Sequence, residues 1–164
     1  MIEKEKPMEV RIKIKSVRYE VEASLFSEDG EYGDSLVELP EAEPETVEIN
    51  TVGRLSEEKG RIEISYEETE VTGMEGSTTA ITYMREQAGL VTMLREGAVS
   101  TALVFEEGKR HHCVYNTPFM PFQVCVHTLR VDNRLDTDKL LELDYIVEIR
   151  GAQAERTKFR MELL

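Results

Sequence analysis

The sequence predicts an all-β fold, a single antiparallel up-and-down barrel of about eight to ten strands. Three observations carry that prediction. Apolar and polar residues alternate with a period of two, most clearly where Ile62, Ile64 and Tyr66 oppose Arg61, Glu63 and Ser65. Turn residues recur at Gly73, Gly76, Gly89, Gly97, Gly108, Pro118, Pro121, Asp132–Asn133 and Gly151, so most links have hairpin length. No segment sustains a helical period, apart from a short candidate at Asp136–Leu141.

The strands follow in order. The first runs from Met8 to about Ala23. Val10, Ile12 and Ile14 share one face, and then the apolar parity switches to Val17, Tyr19 and Val21. A one-residue phase slip predicts a β-bulge near Lys15–Ser16. Between Val21 and Gly53 there is no basic residue, and Pro40 and Pro44 exclude a central strand, so residues 24–45 are expected to form an acidic loop insertion within one domain spanning 1–164. Leu25, Phe26, Leu36, Val37 and Leu39 are its apolar footholds; a lid over a cavity and a disordered insertion are both open readings. Further strands are expected at Thr46–Arg54, Arg61–Glu68, Ser77–Met84, Leu90–Arg95, Val99–Glu106, Lys109–Asn116, Phe122–Val131, Leu140–Arg150 and Thr157–Leu163. The last two have one dry and one wet face. Val99–Phe105 and much of Phe122–Val131 are apolar or small on both faces, which predicts a cover, either a second subunit or the acidic loop folded across them; a homodimer through these middle strands is the preferred form.

Composition narrows the partners. With 20 basic and 33 acidic residues the net charge is −13, which repels phosphate backbones and anionic headgroups and speaks against nucleic acid and membrane surfaces. The N-terminus lacks an apolar export segment, and no run approaches the ~18 apolar residues of a membrane span, so a cytoplasmic protein with reduced Cys113 and Cys125 is expected.

From about Thr46 to the C-terminus the chain resembles a known family. The matching residues are Ile64, Tyr66, Glu67 and Glu68, the run Thr72-Gly73-Met74-Glu75-Gly76-Ser77-Thr78-Thr79, then Arg95-Glu96-Gly97, Phe105 to Arg110, and Tyr115-Asn116-Thr117-Pro118 with Thr128 beyond. In this order and spacing they resemble the YwiB-like family of uncharacterised bacterial β-barrel proteins. The resemblance implies a calycin-like barrel, the architecture of lipocalins and fatty-acid-binding proteins, and no activity, because that family is a domain of unknown function. Two departures stand out: Met120 occupies a position where the family's turn tends to carry glycine, and the acidic loop looks like an expansion.

Three residue constellations carry candidate chemistry. Glu67, Glu68, Glu70 and Glu75 form an acidic cluster; Glu68 shares the parity of Ile62, Ile64 and Tyr66 and so can point inward toward Arg95, against the plainer reading of a solvated strand end. His111, Cys113, Cys125 and His127 would assemble a zinc-like set if the hairpin centred on Phe119. Pairing Tyr115 with Phe122 and Cys113 with Val124 instead sends the two pairs to opposite faces, and the spacing lacks the compactness of a metal motif. The third is the barrel lumen, where Tyr66, Glu68, Thr79, Arg95 and Tyr115 are the candidate ligand-binding residues. A buried arginine needs an anion, which is either Glu68 or a ligand carboxylate.

No cofactor motif and no catalytic constellation emerges. The function this supports is a non-enzymatic barrel binding a small amphipathic or acidic molecule in its lumen. A homodimeric interaction module with a packed barrel is the alternative, and a small enzyme using Glu68 ranks last.

Overall fold

The computed structural model describes residues 7–21, 43–72, 74–97, 100–149 and 154–164. Ten strands run in chain order: β1 Met8–Val21, β2 Glu45–Glu58, β3 Arg61–Glu67, β4 Thr78–Met84, β5 Gln87–Glu96, β6 Ser100–Glu106, β7 Arg110–Asn116, β8 Pro121–Arg134, β9 Leu140–Ile149 and β10 Ala154–Leu163. Each pairs antiparallel with its chain neighbour, and β10 returns to β1, closing the barrel. The predicted all-β up-and-down barrel is the fold observed. Most predicted strands match to within a few residues; β2 and β8 are longer than expected, and the short helix, α1, is Leu135–Asp138. Most of the acidic loop lies outside the described residues.

Local chemistry explains the closures. Lys59 and Gly60 both take positive φ, the conformation of a two-residue hairpin whose twist matches its flanking strands. Gly53 has a different role: a Cβ there would overlap the Ile12 side chain and the Ser65 carbonyl, so only glycine lets β1, β2 and β3 converge at this point. Inward positions build one continuous core, including Ile12, Ile64, Ile81, Val91, Phe105, Val126, Leu141 and Met161. The Phe105 and Tyr145 rings meet at 4.5 Å between centroids inside it.

The expected bulge at Lys15–Ser16 is absent. The ladders of β1 with β2 and with β10 run through both residues without a shift. The parity switch has another cause: Tyr19 and Val21 face outward and join Ile146, Ala154 and Leu129 in a second, smaller apolar cluster on the outside of the wall. The register shifts instead at Tyr83/Met84 and at Thr128/Arg130, where Thr128 exchanges backbone hydrogen bonds with Gly108 and Lys109 at the β6–β7 turn.

The alternation of strands gives the barrel two distinct ends. One carries the start of β1, the β2–β3, β4–β5 and β6–β7 turns and α1. The other carries the connections after β1, β3, β5, β7 and β9.

Candidate functional site

The site at the second end is built by register. Tyr66 pairs with Thr79, Thr79 with Arg95, Arg95 with Thr101 and Thr101 with Tyr115, so one inward row of polar groups crosses β3 to β7. Glu68 follows Tyr66 by two, just past the strand, where its backbone N–H donates to the Ser77 carbonyl at 2.8 Å. Thr79 Oγ1 donates to Glu68 Oε1 at 2.6 Å, Arg95 Nε donates to Thr79 Oγ1 at 3.2 Å, and Arg95 Nη2 reaches Glu68 Oε1 at 3.4 Å and Met93 Sδ at 3.9 Å. Glu68 is only 6% exposed and the Arg95 side chain 11%. Buried arginine is thus neutralised by a carboxylate of the same chain, as one of the two sequence readings held.

This network is incomplete. Glu68 Oε2 is buried and has no hydrogen-bond partner. An orphaned carboxylate oxygen carries a desolvation cost, and a donor that reached it would relieve that cost. Glu68 lines a cavity of about 50 Å³ whose wall also includes Val47 and Ile49 from β2, Val71 and Met74 beside the Glu70–Thr72 turn, Tyr66 and Tyr145. That volume holds a water or a terminal polar group, and falls well short of the ~300–1,000 Å³ of drug-sized pockets. Burial, reinforced by the Glu68 charge, raises the Tyr66 phenol above its ordinary value; burial does the same for Tyr145. Both remain neutral hydroxyls that can donate or accept.

Of the five predicted lumen residues, Tyr66, Glu68, Thr79 and Arg95 come together. Tyr115 sits at the far end of the row, half-buried against the core and away from the cavity. The remaining acidic candidates, Glu67, Glu70 and Glu75, lie outside the network of Glu68.

The zinc-like set is not assembled. Cys113 pairs with Val124 and His112 with Cys125, so His111 and Cys113 share the inner face while Cys125 and His127 take the outer one. Cys113 packs in the core, and His111 lies 3.2 Å from Glu106. Burial pushes both thiols up, and burial followed by the nearby Arg110 charge pushes His127 down. Among the described residues no group of three or more His, Cys, Asp or Glu side chains is placed to hold a metal.

Sequence reasoning missed Glu148. Its alternation with Val147 and Ile149 marks it as a wet-face residue, yet it is 5% exposed beside the outer apolar cluster, with neither carboxylate oxygen hydrogen-bonded. Burial raises its pKa to about 7. Only the register that places it next to Cys125 and in line with Ala154 reveals this, and alternation alone carries no such signal.

Comparison with known proteins supplies a family and a fold. The profile described as "Domain of unknown function (DUF1934)" matches residues 36–161. The crystal structure of the ywiB protein from Bacillus subtilis is similar over 97% of this chain and 94% of that one, at 16% identity and a TM-score of 0.66. No curated protein matches. Among the described residues no helix is long and apolar enough to cross a membrane.

Proposed function

The chain belongs to the DUF1934 family, whose description assigns no activity, and we propose from its geometry that it is a non-enzymatic binding module. In this reading the second end of the barrel, where Glu68 lies, receives a hydrogen-bond-donating group, above all a primary ammonium, against Glu68. The observation that carries it is the buried Glu68 Oε2, which lacks a partner in a residue that lines a cavity. Arg95 is already occupied by Glu68 and Thr79, and Arg18, which also lines the cavity, lies 3.8 Å from Glu155, so an acidic ligand has less to gain here than a cationic one. A cavity of this size takes the head of a ligand and leaves its body at the mouth, among Val71, Met74 and Val47.

Native mass spectrometry of freshly purified protein, compared with the same sample denatured, tests the reading. An adduct lost on denaturation, and lost from Glu68→Gln, supports it. A clean protein ion that stays clean after incubation with excess n-butylammonium overturns it.

A second reading has its own observation. Phe119, Met120 and Phe122 at the tip of the β7–β8 hairpin, with Ile149 on the same face as Phe122, are exposed, Phe119 at 95%. Apolar side chains gathered this way mark an association surface. A homodimer through this hairpin, within the middle strands where pairing was expected, would bury them. Sedimentation at micromolar concentration should then give twice 18.8 kDa, and Phe119→Glu should return the monomer.

A further inference from the structure

The wall of the barrel is unevenly paired around the site. β2 has 14 residues and β3 has seven. Along one edge β2 is hydrogen-bonded to β1 from Glu45 to Leu55. Along the other it pairs with β3 only from Arg54 to Glu58. Above the Gly53–Ser65 convergence, the β3-side edge of Glu45–Gly53 therefore has no ladder partner among the described residues, and the short turn Glu70–Thr72 lies near it in place of a strand. An unpaired edge presents a row of N–H and C=O groups to any extended chain. The sequence there, Thr46-Val47-Glu48-Ile49-Asn50-Thr51-Val52, is rich in β-branched residues suited to pairing.

Two spaces flank this edge. Outside lies a shallow groove of about 850 Å³ lined by Thr51, Val52, Gly53, Ser65 and Glu67. Inside lies the cavity of Glu68, reached past the inward-facing Val47 and Ile49 of the same strand. A strand laid against β2 sends alternate side chains to these two sides. Inside, Glu68 offers an unpartnered oxygen, Arg95 is engaged by Glu68 and Thr79, and Glu45 stands opposite Arg18 in the wall; outside, Glu9 and Glu67 outnumber Arg54 in the groove.

We infer that the β3-side edge of β2, which has no ladder partner among the described residues, docks an extended, basic peptide segment of a partner protein by strand addition, placing a lysine side chain in the cavity against Glu68 Oε2. This inference rests on the reading of Glu68 given above and adds the class of ligand to it: backbone pairing supplies the affinity and the inward lysine supplies the selectivity. The net charge of −13 favours approach of a basic segment over an acidic one.

A random heptapeptide phage library panned against the full-length chain tests it. The enriched peptides should carry a lysine flanked by β-branched residues. Synthesised, they should lose at least tenfold in affinity when the backbone nitrogens of alternate residues are methylated in one parity, and little in the other. Lysine to methionine in the peptide, and Glu68→Gln in the protein, should each weaken binding about tenfold, with no further loss when combined. The peptide-side changes keep the test valid if Glu68→Gln folds poorly. Absence of enrichment, or enriched peptides indifferent to backbone methylation, overturns strand addition. Binding that ignores Glu68→Gln overturns the placement of the lysine. Titration with n-butylammonium separates the two readings: saturable binding lost in Glu68→Gln, with peptides failing, removes only the docking inference, whereas no binding of the amine removes the reading on which it rests.

Discussion

The two ends of the barrel solve the same problem in different ways. At the α1 end, Leu135 plugs the opening, Asn133 donates to the Ala88 carbonyl at 3.0 Å, and Arg85 joins Glu57 at 2.8 Å and Asp136 at 3.3 Å, with Tyr83 donating to Asp136 at 3.2 Å. A cleft of about 270 Å³ remains there, larger than the cavity at the other end. Its charges nevertheless satisfy one another in contact with water; the Arg85 side chain is 50% exposed. At the second end the cavity of Glu68 is smaller, the ion pair is dry, and one carboxylate oxygen is left over. Size therefore points to one end and unsatisfied chemistry to the other. An ion pair in water leaves little for a ligand to gain, whereas a buried orphan acceptor rewards any donor that reaches it. The second end is the better candidate for function.

That contrast can be broken by mutation. The largest effect is expected from Arg95→Met, which strands Glu68 in the wall; a loss of about 3–5 kcal/mol in denaturant unfolding is expected, and a loss below about 1 kcal/mol would show that the pair is effectively solvated. Removing both charges with Glu68→Leu and Arg95→Met should recover most of that loss, because no uncompensated charge remains buried. A double variant as unstable as Arg95→Met alone would show that packing, not charge, dominates.

Another buried carboxylate, toward the same end as Glu68, sharpens the comparison through pH. Glu148 is raised from 4.5 to about 7 by burial, so the folded state holds its proton more tightly than the unfolded chain. Its favourable contribution is complete below about pH 4.5 and is lost as the pH rises to about 7. Glu148→Gln should remove this dependence and stabilise the protein by about 1–3 kcal/mol at pH 8. Unfolding curves at pH 5 and pH 8 check it: an unchanged difference between variant and parent at the two values would contradict the assignment. The smallest effect belongs to the α1 end, where Arg85→Met should cost under about 1 kcal/mol, as exposed ion pairs typically do.

Much of this molecule was legible beforehand, and the exceptions have physical reasons. Strict alternation in β3, β9 and β10 is what a wall with one dry face must show, so strand order and barrel class followed from it. The parity of Glu68 with Ile62, Ile64 and Tyr66 allowed the inward position it takes, although the acidic run Glu67–Glu70 equally suits a solvated strand end. Tyr115 is a lumen candidate by its inward parity, but the row it joins curves around the barrel and parity says nothing of where along it a cavity lies. The switch to Tyr19 and Val21 read as a bulge because alternation cannot distinguish a bent strand from a second apolar cluster on the opposite face. The Cys and His set depended on a one-residue choice of register, which the β7–β8 ladder decides. The orphan oxygen of Glu68 and the burial of Glu148 depend on three-dimensional neighbours that no periodicity encodes.

The most direct test of the central claim is an NMR titration of 15N-labelled protein with methylammonium, with sodium acetate as the parallel control. The account predicts saturable shifts confined to the amides around Tyr66–Met74 and Met93–Arg95, absent with acetate and absent in Glu68→Gln. Shifts centred on Arg85 and Asp136, or none at any concentration of the amine, would contradict it.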